Sequence, residues 1–281
     1  NTEANPYASM VINNQNRRNN QKLLGDIYAE LEPVKNLKYR ISFGFDYYAE
    51  EYRSFTPIYQ LSLYSFSDKT RASQNLAKSL TLSLDNILSY GLFIGSHSVE
   101  AMVGMSARAY NGSYLFGENT NLAFNDFDHA WLSNTTNEDG ALKRLSGAPN
   151  DEDRLLSYFG RVQYSYNETY LLNATFRADG SSKFAEGNRW GYFPSVSVGW
   201  VLSNEGFMQP SSKYVNFLKL RASWGQNGNQ NISSFQYLAP IAFTQATYAF
   251  GSLEGVNTTG SYPSRLAYEN LKWETSEQIN I

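Results

Sequence analysis

The sequence lacks cysteine, and it contains two histidines among its 281 residues. Disulfide scaffolds, zinc sites with cysteine ligands, cysteine nucleophiles and haem attachment are therefore excluded. No run of about 18 apolar residues is present, so no transmembrane helix is predicted. The net charge of -3 leaves no basic surplus for binding nucleic acid. Neither a Ser-His-Asp triad nor a Gly-x-Ser-x-Gly motif supports an enzyme.

Aromatic residues make up 15% of the chain, and apolar and polar side chains alternate with a period of two along most of it. Within residues 154–166, for example, Val162 and Tyr164 alternate with Arg161 and Gln163. This alternation predicts about nine antiparallel strands of roughly ten residues each. The predicted strands are centred on residues 23–31, 37–47, 80–84, 99–107, 154–166, 170–178, 194–202, 218–224 and 271–281.

The length of these strands separates a membrane barrel from a soluble sandwich. A tilted strand of about ten residues crosses a bilayer, whereas a soluble strand usually has about five or six residues. A lipid-facing charge costs about 2–4 kcal/mol at the bilayer midplane, and the apolar faces of the nine segments carry none. The fold class that we predict is therefore all-β, a segment of a transmembrane antiparallel β-barrel.

The connections between the predicted strands alternate in length. Short ones, such as residues 32–36 and 167–168, alternate with long ones, such as residues 110–153 and 226–270. Outer-membrane barrels have this asymmetry, with periplasmic turns and extracellular loops. Neither end of the sequence resembles a natural terminus, and a barrel cannot keep an open edge in lipid. We therefore expect segments outside this chain to close the barrel.

Several blocks of sequence, in a fixed order, carry a family resemblance. They are residues 24–28 (LGDIY), 32–40 (EPVKNLKYR), 154–161 (RLLSYFGR), 176–184 (FRADGSSKF), 190–195 (WGYFPS), 218–225 (LKLRASWG) and 271–275 (LKWET). These blocks resemble the middle of the barrel in the SusC/RagA family of TonB-linked outer-membrane transporters of Bacteroidetes. The long loops resemble nothing specific, which suits segments that determine substrate choice.

The resemblance implies a plugged barrel of about 22 strands, a plug with a TonB box, and a SusD-like surface lipoprotein lid. It also implies TonB-driven uptake of glycan or peptide fragments across a Gram-negative, Bacteroidetes-type outer membrane, with no enzymatic activity and no cofactor. We interpret residues 1–281 as part of one barrel domain, with the plug and the TonB box outside these residues. The alternatives are a passive porin or structural barrel, and a soluble secreted carbohydrate-binding β-protein.

Charged residues on the polar faces form the first group of candidate site residues. In a barrel they face the lumen, where they contact either the plug or a substrate path, and a wide plugged barrel favours contact with the plug. The arginines of this group are Arg40, Arg161, Arg177 and Arg221.

The second group lies in the long outer loop, where aromatic rings occur beside carboxylates, a combination that binds the faces and hydroxyls of sugars. Its members are Tyr114, Asp126, Asp128 and Trp131. The alternative role for these side chains is packing of the loop on its neighbours or on a lid. No metal site is predicted, because the spacing of the two aspartates is not that of an EF-hand loop.

Overall fold

The computed structural model describes residues 5–138, 143–150, 152–242, 247–249 and 257–281. Within them the regular elements are α1 (Pro6–Asn13) and the strands β1 (Asn16–Val34), β2 (Leu37–Thr56), β3 (Tyr59–Gln60), β4 (Phe66–Ser67), β5 (Arg71–Ile94), β6 (His97–Thr120), β7 (Arg144–Pro149), β8 (Asp153–Tyr166), β9 (Tyr170–Ser181), β10 (Trp190–Val201), β11 (Lys219–Asn229), β12 (Ile241–Ala242), β13 (Thr247–Ala249), β14 (Asn257–Thr259), β15 (Tyr262–Pro263) and β16 (Glu274–Asn280). Short 3-10 helices cover Leu132–Asn134, Leu202–Asn204 and Gly206–Ser211. No helix in the described ranges is long and apolar enough to cross a membrane.

One large sheet contains all of the long strands, in the order β1-β2-β5-β6-β8-β9-β10-β11-β16, with β7 paired to β6. The pairs β8–β9, β9–β10, β10–β11 and β11–β16 are antiparallel. The nine strands of this order are the nine that the alternation predicts. The predicted fold class is therefore confirmed.

The strands nearest the N-terminus are longer than predicted. β1 and β2 have 19 and 20 residues, and β5 and β6 have 24 each, so the prediction of about ten is wrong for them. Beyond the apolar segments both faces of these strands mix polar and apolar side chains, so the polarity alternation ends although the backbone ladder continues. β7 was not predicted either, because it is short and carries Gly147 and Pro149.

Contacts between residues divide the chain into two compact units. The first comprises Asn1–Asp26, Gly44–Leu82 and Tyr110–Glu152, and the second comprises Ile27–Phe43, Ser83–Ala109 and Asp153–Ile281. The buried apolar cluster of the first unit consists of Phe55, Ala72 and Ala130, with Leu122 and Phe127 packed against it. This cluster packs the connection between β6 and β7 against the ends of β2 and β5.

In the second unit the apolar faces are the exposed ones. Along β9, Leu172, Ala174 and Phe176 are exposed, whereas the residues between them are partly buried. Phe176 is 50% exposed, and Leu220 of β11 is 56% exposed. These side chains do not pack into a dry core between stacked sheets, which removes the basis for a soluble sandwich. An exposed apolar face is what contact with lipid requires.

The short turns of the second unit lie beside one another. Asn167 N donates to Ser96 O over 2.7 Å, and Gly91 N donates to Asn36 O over 3.0 Å. Asn36 and Asn167 both have positive φ, 68° and 50°, a conformation that asparagine tolerates in tight turns. Turns of two or three residues therefore join β1 to β2, β5 to β6 and β8 to β9, all at the same end of the strands.

Candidate functional site

The connection between β6 and β7 folds back on the ends of β2 and β5 in the first unit. Asn121 N donates to Thr70 O over 3.0 Å, and Leu122 N donates to the Thr70 hydroxyl over 2.7 Å. Further along, Leu132 N donates to Gln74 Oε1 over 3.3 Å. With Ala130 fully buried, residues 121–136 form an anchored loop, which we call the rim loop.

A buried cation holds the centre of the rim loop. Arg53 is 7% exposed, and its guanidinium lies 4.4 Å from the ring centroid of Phe127 and 4.0 Å from that of Trp131. Arg53 Nη1 donates to the carbonyl oxygen of Asp128 over 3.3 Å, and Trp131 Nε1 donates to the same oxygen over 3.1 Å. Cation–π contacts of this kind are worth about 2 kcal/mol when they are desolvated.

The carboxylate of Asp126 stabilises the tip of the rim loop through hydrogen bonds to His129. It accepts hydrogen bonds from the backbone N–H of His129 over 2.9 Å and from His129 Nδ1 over 2.8 Å. These bonds, the backbone one first, hold the pKa of Asp126 below its ordinary value of 3.8. The ring of Phe124 packs against the same imidazole in a tilted arrangement, with ring centroids 4.6 Å apart. The tip is thus ordered by its own side chains.

The rim loop lies on the apolar face of the first unit. Side chains alternate across a strand, so Arg53 and Phe55 share the side of β2 that carries Phe45 and Tyr47. The side chain of Leu132 lies close to Gly117 of β6, 2.6 Å from where a Cβ would sit. Gly117 and Tyr114 are three positions apart in β6, so they face opposite sides of the sheet.

The four loop residues predicted from the sequence therefore form two groups. Asp126, Asp128 and Trp131 come together in the rim loop, whereas Tyr114 lies in β6 on the other face. Tyr114 Oη is 3.3 Å from Ser146 Oγ of β7, on the side where Glu118 pairs with Arg71 at 3.3 Å. That the four residues bind a ligand stays a prediction, but they cannot do so as one cluster.

Two of the predicted polar-face arginines are tied to neighbours in the second unit. Arg40 lies over the ring of Tyr28, 4.0 Å from its centroid. Arg177 Nε donates to both carboxylate oxygens of Asp179 over 2.8 Å, and its Nη2 donates to Ser157 Oγ over 2.9 Å. Ser157 and Asp179 are buried, so Arg177 serves to hold two strands in register.

The other two predicted arginines border open hollows on the polar face of the second unit. Arg161 lines one of about 400 Å³, and Arg221 lines one of about 440 Å³. Glu100 and Gln163 line both hollows. Their mixture of cationic, anionic and amide groups suits a polar partner surface.

An unsatisfied amide marks the second of these hollows. Asn173 lines it, and its Oδ1 is buried without a hydrogen-bond partner in the described part of the chain. Buried polar atoms are normally paired, so a donor from outside these residues fits here. Among the described residues no group of three or more His, Asp or Glu could hold a metal ion.

The sequence did not single out Arg53 or Asn173. Arg53 lies outside the predicted strand at residues 37–47, whereas in the structure β2 continues to Thr56. No local pattern marked Arg53, because the polarity contrast between the two faces of β2 ends before this residue. Asn173 was one of several polar residues on its strand, and nothing in the sequence distinguished it.

Comparison with known proteins gives concordant matches. A family model described as TonB dependent receptor-like, beta-barrel, matches residues 2–281. TonB-dependent receptor SusC of Bacteroides thetaiotaomicron is 31% identical over 293 residues, which cover 100% of this chain and 26% of that protein. TonB-dependent receptor P26 of Formosa agariphila is 29% identical over 280 residues, 99% of this chain and 27% of that protein.

Solved structures match the same architecture. A structure of the RagAB peptide transporter superposes with a TM-score of 0.77 at 20% identity, over 98% of this chain and 28% of that chain. The RagAB peptide importer in its 'closed-closed' state gives a TM-score of 0.76 over 94% of this chain. The chain thus spans about a quarter of the length of the curated relatives that it matches.

Proposed function

Because the chain belongs to the TonB-dependent receptor-like β-barrel family, we propose that it is part of a transporter that imports oligomeric nutrients across the outer membrane. Members of this family are outer-membrane proteins and not enzymes. The match of the family model across residues 2–281 carries the proposal. The exposed apolar face of the second unit supports it, since that face is suited to lipid.

The proposed cargo is a glycan or peptide fragment. The RagAB structures are those of a peptide importer, and SusC is 31% identical to this chain. The polar face supports an oligomeric, polar cargo, because the hollows beside Arg161 and Arg221 offer charges of both signs together with amide groups.

We further propose that transport is driven by the TonB complex acting on a plug that the polar face surrounds. The unpartnered Oδ1 of Asn173 supports this, because a plug segment that donates a hydrogen bond would satisfy it. Arg40, Arg161, Arg177 and Arg221 would then border the plug. A SusD-like surface lipoprotein is the proposed lid at the end of the long connections.

The test uses the intact transporter in its own outer membrane. Cells that depend on it are given labelled oligosaccharides or oligopeptides, and uptake is measured before and after the proton-motive force is collapsed. We expect one of the two classes to accumulate and its uptake to stop on collapse. Uptake that continues unchanged would support a passive porin instead, and uptake of neither class would refute the proposed cargo.

A further inference from the structure

Two arginines and a glutamate form a charged cluster on the polar face of the first unit. Arg71 of β5 and Arg144 of β7 converge on the carboxylate of Glu118 in β6. Arg71 Nη1 donates to Glu118 Oε1 over 3.3 Å, and Arg144 Nε lies 3.6 Å from the same oxygen. We call Arg71 and Arg144 the arginine pair. The strand ends at this level adjoin the long connections, which are extracellular in outer-membrane barrels, so imported molecules would reach the arginine pair early.

The carboxylate of this cluster is covered, whereas its two cations are open. The side chain of Glu118 is 13% exposed, and those of Arg71 and Arg144 are 45% and 69% exposed. A guanidinium carries five N–H donors, and each guanidinium here faces Glu118 with one nitrogen. Glu118 therefore holds the arginine pair in place, but it can neutralise only one of the two charges, and the outer N–H groups stay available to a ligand.

Hydroxyl and aromatic groups continue from the arginine pair along the same face. Phe116 and Tyr114 lie two and four positions before Glu118 in β6, so the three side chains face the same way. Phe116 pairs with Ser146 of β7, and the Ser146 hydroxyl lies 3.3 Å from that of Tyr114. Four residues of a strand span about 14 Å, so an oligomer can contact the arginine pair and Tyr114 at once.

We propose that this face binds an acidic glycan fragment and that the arginine pair binds the carboxylate of one of its uronic acid units. The inference rests on the import function proposed above and narrows its cargo. The planar forks of N–H groups on the two guanidiniums match the two oxygens of a carboxylate. The rings of Tyr114 and Phe116 pack against a neighbouring sugar unit. The hydroxyls of Tyr114 and Ser146, which both donate and accept, bind the hydroxyl groups of that unit.

Two other occupants fit this face less well. A neutral glycan would cover at least one guanidinium without supplying a charge to compensate it, and such desolvation is unfavourable. An acidic peptide would supply the charge, but extended peptides that add to a sheet are held by main-chain hydrogen bonds, and the groups that form this site are side chains. A carboxylated sugar chain matches the paired cations, the hydroxyls and the aromatic rings together.

The test is equilibrium binding to the intact, detergent-purified transporter, measured by isothermal titration calorimetry. The probes are a hexamer of galacturonic acid, the same hexamer with its carboxyl groups reduced to primary alcohols, and hexaglutamate. We expect the acidic hexamer to bind at least about tenfold more tightly than the reduced one. Arg144→Gln should remove most of this difference without changing the affinity for the reduced hexamer. Arg144→Lys, which keeps the charge but not the fork, should remove less of it.

The matched control is Arg17→Gln, which changes the net charge by the same amount. Arg17 is exposed on the side of β1 that carries Gly25, next to Phe45 of the apolar face, so this variant should bind both hexamers normally. Folding of each variant is checked by the shift in gel mobility between unheated and heated samples. Equal losses in Arg17→Gln and Arg144→Gln would show a general effect of charge and refute the site.

Equal affinity of the unaltered protein for the two hexamers, or no binding of the acidic one, would also refute the site. Tighter binding of hexaglutamate than of the acidic hexamer would assign the arginine pair to acidic peptides instead. Either result, in a protein whose uptake of oligomers stops when the proton-motive force is collapsed, would refute this inference alone. A preference for the acidic hexamer, in a protein whose uptake survives the collapse, would refute the import function alone.

Discussion

Arg53 and Trp131 donate to the same backbone oxygen, that of Asp128, over 3.3 Å and 3.1 Å. Their side chains also stack, with the guanidinium 4.0 Å from the indole centroid. A cation that is almost fully buried is costly unless it is compensated, and here two aromatic faces and a carbonyl compensate it. Arg53 therefore fixes the conformation of the rim loop from a strand.

Arg53→Leu should loosen the rim loop without unfolding the barrel. Loss of about 2 kcal/mol of desolvated cation–π contact would raise the population of the open loop by at least about tenfold. The measurement is the rate of proteolytic cleavage within residues 121–138 of the intact protein. The control is Arg18→Leu, since Arg18 stacks on Tyr52 but is well exposed. Equal cleavage of the two variants would refute the role of Arg53.

The facing of β8 predicts opposite outcomes for two adjacent substitutions. Val162 is 45% exposed on the apolar face, and it pairs with Ala174 of β9. Val162→Arg should reduce the yield of folded barrel, because a lipid-facing arginine costs about 2–4 kcal/mol near the midplane. Gln163→Arg, at the polar hollows, should assemble nearly normally. Heat-modifiable gel mobility measures both, and equal yields would mean that the faces are wrongly assigned.

The sequence predicts the nine strands because alternation persists wherever one face is apolar and the other polar. The prediction from sequence fails beyond the apolar segment of β2. There Glu51 and Arg53 lie on the face that carries Phe45 and Tyr47, so the polarity contrast between the two faces ends. It also begins the last strand at residue 271, whereas β16 begins at Glu274. The reason is that Trp273 is drawn into a contact with Phe184, 5.4 Å between centroids, and donates from Nε1 to Arg189 O over 2.8 Å.

The sequence could not predict which residues of the candidate site, distant along the chain, come together in the fold. Tyr114 and Trp131 are both aromatic residues between β5 and β8, and nothing in their spacing shows that they lie on opposite faces. The return of the rim loop depends on Thr70 and Gln74, more than 50 residues from their partners. Such contacts have no local signature.

The separation of Tyr114 from Trp131 predicts different effects on cargo binding. Tyr114→Ala should weaken binding severalfold, because the ring lies on the polar face next to Ser146 and loses a direct contact. Trp131→Ala should leave the affinity for cargo within about twofold, because Trp131 lies in the rim loop on the apolar face, away from the polar face that cargo meets. Equilibrium binding of the imported oligomer to the intact transporter measures both. A larger loss for Trp131→Ala would show instead that the rim loop contacts cargo.

The structural order of the rim loop tip should depend on pH. The pKa of Asp126 lies below its ordinary 3.8 in the folded chain, so its carboxylate stabilises the tip above that pH and stops doing so as the pH falls through the folded value. Hydrogen exchange at His129 N–H should therefore be slow at pH 5 and accelerate below 3.8, after correction for intrinsic rates. Asp126→Ala should be fast at both pH values. A pH response that survives in this variant would assign the effect to another group.

Glu205 joins a turn to the aromatic residues at the strand ends in the second unit. Its Oε1 accepts from Tyr170 Oη over 2.6 Å and from Trp200 Nε1 over 2.9 Å, and these two bonds, in that order, hold its pKa below the ordinary 4.5. Glu205→Ala should therefore speed hydrogen exchange across residues 202–213 severalfold at neutral pH, whereas Glu205→Gln should do so less, because its amide oxygen still accepts. Glu186→Ala, at an exposed glutamate between β9 and β10, is the control. If Glu205→Ala exchanged no faster than Glu186→Ala, the aromatic side chains would not be what holds this turn.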